Sequence, residues 1–237
     1  MPLELSPQAG YELLDDRKLL WRFMPMRTFT LLVESGLHFR RSDLLGDEHE
    51  GLPPDDYIRQ VLPTMGPNAT LEHARERLKE DRQGSFVSCW TIHETFEMWQ
   101  KFAPTGVAVQ SDVARLRVAL NTIPERVMLC HVRYSLAHDR YNILRFITTK
   151  RPEFHHEREV RALIWDLERS PRNPYPHDVT DGLSRPVDLV ALAQTIIVSP
   201  RAPANLFDDV KTLLSNNGYG SIPVEKSGYA GFDHLLP

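Results

Sequence analysis

Phe154-His155-His156-Glu157-Arg158-Glu159-Val160-Arg161-Ala162-Leu163-Ile164-Trp165 is the stretch on which the reading of this chain turns. Charges fill its first half and apolar residues its second. Taken with a period of two, Glu157, Glu159 and Arg161 share one face, and Arg158, Val160, Ala162 and Ile164 the other. The pattern predicts a strand that enters a core and sets two carboxylates and a guanidinium on a common surface at its mouth. Paired carboxylates repel, so one is expected to have a raised pKa unless cations answer them, and such pairs recur at acid–base and cation-binding sites. The plainer reading is a solvated strand end whose charges pair with one another, because structural ion-pair networks have the same sequence pattern.

Around this segment lie 237 residues, 41% hydrophobic and 25% charged, enough to bury a sizeable core and ordinary for a globular protein. A net charge of −4 gives no support to a broad electrostatic grip on nucleic acid, although a local basic groove stays open. Cys89 and Cys130 stand far apart, without a CxxC pair, so neither a disulfide framework nor a thiolate zinc site is indicated. There is no cationic leader followed by an apolar stretch and no run of about 18 apolar residues, so a cytoplasmic protein without a membrane span is the default expectation.

Residues 1–18 are polar and acidic and read as a loosely attached lead-in. Residues 19–237 read as one domain. Strands are expected at Leu19–Phe23, Leu37–Arg40, Ser85–Trp90, Gly106–Gln110, Val127–Tyr134, Glu157–Trp165, Thr195–Val198 and Ile222–Val224. Helices are expected at Met26–Glu34 (stopped by Gly36), 54–62, 69–83, Glu94–Phe102, Asp112–Asn121, Tyr141–Lys150 and Ala204–Asn216. Within the Glu94–Phe102 helix, Glu97 and Lys101 are spaced to pair on the outer face. Asp43–Gly51 and Ser170–Arg185 read as loops. Short strands alternate with short helices without sustained βαβ spacing, which gives an α+β fold: a mixed, mostly antiparallel sheet with short flanking helices.

The chain has no GxGxxG, GxxxxGK[ST], HExxH or GxSxG. Cys89, at the end of an apolar strand with His93 nearby, has the residue types of a nucleophile and its base, but equally those of a buried small hydrophobe. His155 and His156 are adjacent on an expected strand, point to opposite faces and cannot easily share a metal ion. A magnesium-type carboxylate site would need Asp47 or Glu50 to join Glu157 and Glu159.

Four blocks, in order over roughly residues 19–229, resemble the bacterial family catalogued as domain of unknown function 2971. They are Leu20-Trp21-Arg22-Phe23 with Ser35-Gly36-Leu37-His38-Phe39 and Asp47-Glu48-His49-Glu50-Gly51; Phe86-Val87-Ser88-Cys89-Trp90 with Glu97-Met98-Trp99 and Gly106-Val107-Ala108-Val109-Gln110; Glu157-Arg158-Glu159-Val160-Arg161; and Val198-Ser199-Pro200. The family brings no activity with it. The acidic block and Trp99-Gln100-Lys101-Phe102 depart from its usual pattern, which puts the role of the loop acids in doubt more than the fold.

A second resemblance, at the level of fold, is to the ADP-ribosyltransferases, with Arg22, Gly36, Ser88 and Glu157-Arg158-Glu159 in the order of their early-strand arginine, helix-ending glycine, central-strand serine and late-strand glutamates. It implies NAD as a substrate rather than a permanently bound cofactor, in a transferase or glycohydrolase of the toxin or defence kind. Arg22 and Arg161 would hold phosphates. Ser88 would orient the nicotinamide ribose, and Trp90 or Tyr134 would stack on the nicotinamide. Glu159 would stabilise the oxocarbenium-like centre and Glu157 would activate the acceptor. A metal-dependent nuclease or hydrolase, using Asp47, Glu50, Glu157 and Glu159 with Lys150 or an arginine as electrophile, is one alternative. A non-catalytic module that binds a partner protein is the other.

Overall fold

The computed structural model describes residues 3–4, 13–47, 50, 52–135, 143–165 and 181–229. In chain order these form β1 (Leu3–Glu4), β2 (Leu19–Met24), α1 (Met26–Ser35), β3 (Leu37–Arg41), α2 (Asp55–Val61), α3 (Leu71–Arg82), β4 (Ser85–Thr91), α4 (Phe96–Phe102), β5 (Val107–Asp112), α5 (Val113–Leu120) and β6 (Val127–His131). Then come β7 (Arg133–Tyr134), α6 (Ile143–Ile147), β8 (Thr149–Lys150), β9 (Glu159–Trp165), β10 (Gly182–Arg185), α7 (Leu189–Leu192), β11 (Thr195–Val198), α8 (Leu206–Asn216) and β12 (Val224–Lys226).

One sheet runs β1-β6-β9-β4-β2-β5-β11-β12, with β3 joining β4 and β10 joining β3. Its pairings are antiparallel except β1 with β6 and β11 with β12, so the fold is α+β with a mixed, mostly antiparallel sheet. The apolar alternation read from the sequence explains the layering. The inward residues of one face, among them Leu20, Phe86, Trp90, Val109, Val160, Ala162 and Ile164, join Phe29, Leu116, Leu192 and Val210 of the helices in the main core. The other face carries two smaller cores, one of Trp21, Phe23, Met98 and Trp99 under α4, and one of Val87, Met128, Ile147 and Leu163. Each Val, Leu, Ile, Phe or Met side chain among them stabilises by roughly 1.5–3 kcal/mol on burial. No helix among the described residues is long and apolar enough to cross a membrane.

Side-chain caps fix several helix starts. Thr95 accepts from the Met98 N–H at 3.3 Å to open α4, and Asp112 from the Arg115 N–H at 2.7 Å to open α5. Gly36 closes α1 at φ 94°, donating its N–H to Leu32 O at 3.0 Å, and a Cβ there would collide with the Arg185 carbonyl.

Several expectations change, and four bear on the sheet and the site. The lead-in is not loose where it is described, since Leu3–Glu4 pairs with β6 and Leu14 lies in the main core. The strand read as starting at Glu157 starts at Glu159, because Pro152–Glu157 is a 3-10 turn that carries His155 and His156 exposed and ends in Arg158 at φ 40°. Pro152 pre-sets the φ of a helical first turn, and the period-two reading missed it. The helix read at 141–150 is shorter, and Thr149–Lys150 leaves it to pair with β7. The loop read at 170–185 ends in β10, which pairs with β3; residues 170–180 lie outside the described residues, as do Glu48, His49 and Gly51 of the acidic block.

Candidate functional site

The site grows from a split in the sheet. On one side β4 pairs along its length with β9, from Ser85 opposite Trp165 to Thr91 opposite Glu159. On its other side it meets β2 only at Thr91 opposite Trp21, and β3 only at Val87 and Phe86 opposite Arg40 and Arg41. Ser88, Cys89 and Trp90 therefore have no ladder partner there, and β2 and β3 diverge around them. Arg22 fills the fork. Its guanidinium donates from Nη1 to Ser88 Oγ at 2.5 Å and from Nη2 to the His38 carbonyl of β3 at 2.9 Å, and stands 5.9 Å from the centre of the Trp90 ring. Register puts Trp21 on the face of Thr91 and Glu159, and so Arg22 on the opposite one. Its partners Ser88 and Trp90 share that opposite face, and Arg22 also borders the opening on the side of Thr91 and Glu159.

On that side lies a cleft of about 530 Å³, within the usual range for small-molecule sites. Arg22, Cys89, Lys101, Phe154, Glu157 and Glu159 are among its lining residues. Its floor is a cluster of three carboxylates and three cations. Arg161, fully buried, donates from Nε to Glu159 Oε1 at 2.7 Å and from Nη2 to Glu159 Oε2 at 3.1 Å. It also pairs with Glu50 and with the Ile147 carbonyl. Lys150 Nζ sits 2.6 Å from Glu157 Oε2, 2.7 Å from Glu159 Oε2 and 3.7 Å from Glu50 Oε2. Lys101 reaches Glu157 Oε1 at 2.7 Å, rather than pairing with Glu97 along its own helix. The strand period builds the Arg161–Glu159 clamp. Glu157 arrives separately, through the turn that ends at Arg158, whose own N–H bonds to His155 O at 3.2 Å.

Electrostatics follow from this packing. Burial would raise the Glu157 pKa, but the Lys150 charge and hydrogen bonds from Lys101 and Lys150 hold it below the usual carboxylate range. Burial would lower the Lys150 pKa, and Glu159 and Glu157 raise it above the usual lysine value. Burial, then the Glu159 charge, pushes the Cys89 thiol well up, so Cys89 is a neutral thiol and not a thiolate nucleophile. Burial pulls Arg22 down to about 10, which leaves it charged at neutral pH.

Five cations (Arg22, Arg40, Lys101, Lys150, Arg161) and four carboxylates (Asp47, Glu50, Glu157, Glu159) line the cleft among the described residues. Lys101, Lys150 and Arg161 pair with the three glutamates, and Arg151 pairs with Asp47 at 3.2 Å. Among the described residues Arg22 and Arg40 bond only to neutral oxygens, Arg40 through Nε to Leu44 O at 2.8 Å. Two guanidiniums thus face the cleft without a carboxylate among the described residues, the arrangement that attracts an anion.

The cleft brings together Arg22, Trp90, Glu157, Glu159 and Arg161 of the residues singled out from sequence. Ser88 is fully buried and does not line it; its hydroxyl accepts from Arg22 and, at 3.2 Å, from Trp90 Nε1. The ribose-orienting role read for Ser88 is therefore corrected to one of holding Arg22. Trp90 is 2% exposed, so its ring supports Arg22 and has no open face for stacking; Phe102 and Phe154 are the accessible rings. Arg161 has its guanidinium filled by the carboxylates and Ile147, so it positions Glu159 and does not hold phosphate. Glu157, tied to two lysines with a lowered pKa, is a poor base for activating an acceptor. Tyr134 lies in a different hollow. The acids read as a metal site do gather here, but Lys150 and Arg161 occupy the space among Glu50, Glu157 and Glu159. Sequence reasoning missed Arg40 and Lys101; Arg40, at the end of β3 two residues beyond His38 on the same face, had only its alternation as a signal.

No family model matches the chain, so the family resemblance stands on the four blocks alone. No curated protein matches it either. Among solved structures, DarT of Thermus sp. 2.9 in complex with ADP-ribosylated ssDNA is similar at 8% identity, with a TM-score of 0.41, over 91% of this chain and 96% of that one; a likeness of this size carries no argument about activity.

Proposed function

We propose that the cleft is the active site of an ADP-ribosyltransferase-like enzyme that consumes NAD as a transferase or glycohydrolase. The observation that carries this reading is Arg22, a charged guanidinium held in the sheet fork without a carboxylate partner among the described residues, lining the same cleft as the clamped Glu159. Arg22 and Arg40 would receive the diphosphate. Phe102 and Phe154 offer rings to the base or the nicotinamide. Glu159 accepts from Arg161 and Lys150 and is hydrogen-bonded to the Cys89 thiol, so a ribose hydroxyl would take the place of that weak thiol donor. As the bond from the nicotinamide nitrogen to the ribose carbon breaks, its electron pair leaves with the nicotinamide, and the Glu159 carboxylate stabilises the oxocarbenium-like carbon. Water or an acceptor hydroxyl then adds to that carbon and releases its proton to solvent.

The test is nicotinamide release from NAD by the purified protein. Glu159→Gln should lower turnover by about 100-fold or more, and Arg22→Gln should weaken NAD binding by about 10-fold or more. Wild-type protein that is folded yet neither binds nor cleaves NAD would overturn the reading.

One observation favours a second reading, a non-catalytic protein-binding module. The three glutamates and their cations balance, as in a structural ion-pair network. Under that reading Arg22→Gln changes no binding of NAD, and Glu157→Gln damages folding alone.

A further inference from the structure

Glu159 is the first residue of β9 and follows Arg158, whose φ of 40° interrupts the extended backbone. Its side chain is clamped by Arg161 and Lys150, but its backbone stands where the ladder runs out. The pairing of β6 with β9 ends at His131 opposite Val160. One residue further, Val132 still gives its N–H to the Glu159 carbonyl at 2.8 Å. A regular antiparallel pair would return a bond from the Glu159 N–H to the Val132 carbonyl. That N–H goes instead to the Tyr134 hydroxyl, at 2.8 Å. A side chain thus completes the ladder for the backbone of a buried residue, whose N–H would be costly to leave unpaired.

The reason lies in the course of the chain after β6. Residues 132–135 swing from β9 to β8: Arg133 gives its N–H to Thr148 O at 2.9 Å, and Ser135 gives its own to Lys150 O at 3.0 Å. Tyr134 stands opposite Lys150 in that pair, and the Lys150 ammonium comes back to Glu159 Oε2 at 2.7 Å. Tyr134 therefore holds the Glu159 backbone through its hydroxyl and is tied, through β8, to a lysine that holds the Glu159 carboxylate. Its ring is fixed in turn against the turn at Pro152–Glu157, meeting His155 edge to face at 5.2 Å. Burial pushes the Tyr134 pKa above the usual tyrosine value, so the hydroxyl is neutral. Tyr134→Phe consequently removes one hydrogen bond, keeps the ring and leaves the charge balance of the cluster unchanged. Tyr134 is not among the residues that line the cleft, so it acts on the chemistry there only through Glu159.

We propose that Tyr134 is a positioning residue for the reaction of the cleft: its hydroxyl sets the Glu159 backbone, and with it the place of the carboxylate at the reacting carbon. The proposal rests on the NAD-consuming reading of the cleft. A small displacement of such a carboxylate lowers the rate of the chemical step and leaves substrate binding alone. Two measurements on the full chain test it. In Tyr134→Phe, hydrogen exchange of the Glu159 amide should be about 10-fold faster or more than in wild type, with the other β9 amides unchanged. Nicotinamide release from NAD by the same variant should show kcat lowered by about 10-fold or more and KM within about 2-fold of wild type. An unchanged Glu159 amide, a rise in exchange shared by every β9 amide, an unchanged kcat or a loss carried by KM would overturn the positioning role and leave the cleft its activity. Wild-type protein that releases no nicotinamide would instead overturn the reading of the cleft, and the positioning role with it.

Discussion

Arg161 grips Glu159 through both carboxylate oxygens, at 2.7 and 3.1 Å, from two positions further along the same face of β9. The pairing is a direct product of the strand period, and it settles what this arginine does: it is wholly buried and spends its hydrogen bonds on Glu159, Glu50 and a backbone carbonyl. Removing one partner of such a pair leaves buried charge uncompensated. Arg161→Met should therefore cost about 3–5 kcal/mol, read as a lower midpoint in urea. A loss below about 1 kcal/mol would mean that the cluster is open to water.

Arg22 should behave in the opposite way. It has no carboxylate partner among the described residues to leave behind, and its burial already lowers its pKa to about 10. In Arg22→Met the lost hydrogen bonds to Ser88 and His38 are offset by the removal of a desolvated charge, so stability should stay within about 1 kcal/mol of wild type. NAD binding should weaken by about 10-fold or more. A severe loss of stability would show Arg22 to be a structural strut.

Lys150 and Lys101 both bind Glu157, yet they should differ in weight. The Lys101 side chain is 48% exposed and its bridge is screened by water, so Lys101→Ala should cost about 1 kcal/mol or less. The Lys150 side chain is 11% exposed and bridges three carboxylates, so Lys150→Ala should cost several-fold more. Thermal melts of the two variants measured side by side decide the order.

Stability should fall at both ends of the pH scale. Glu157 has a lowered pKa when folded, so its contribution is present above the unfolded value near 4.5 and is lost as pH falls through the lower folded value. Lys150 has a raised pKa when folded, so its contribution is complete below about 10.5 and is lost as pH rises beyond it. Denaturation midpoints followed from pH 3 to pH 11 should show both limbs, and Glu157→Gln should flatten the acid one. An unchanged acid limb in that variant would place the acid sensitivity elsewhere.

Arg158→Gly should raise stability by about 1 kcal/mol, because glycine meets no steric penalty at φ 40°. In a chain of this size that is a gain of roughly 2–4 °C in Tm. A lower Tm would show that the arginine side chain stabilises the fold by more than its backbone strain costs.

Much of the fold was legible in the sequence because its signals are local. Gly36 after an amphipathic stretch, Pro104 after Phe102 and Asn217-Gly218 after Leu214 mark helix ends wherever they occur, and the apolar alternation in Ser85–Thr91 and Val160–Trp165 marks strands. The short strands β1, β8 and β10 were not legible, since each is defined by its partner strand and not by its own pattern. The same limit applied to the site. The Glu159–Arg161 clamp could be read from one strand, whereas Glu50, Lys101 and Lys150 reach the cluster from distant segments.

Sequence by itself thus determined the elements, the α+β class and the common face of Glu159 and Arg161, because these depend on periods of two and 3.6 residues along the chain. Tertiary structure alone decided which charges remain over. It showed that the carboxylates are answered by Arg161, Lys150 and Lys101, while Arg22 stands in a fork between β2, β3 and β4, bonded among the described residues only to Ser88 and a carbonyl. Coulomb interactions depend on distance in space and on burial, and neither is written in the order of residues along the chain.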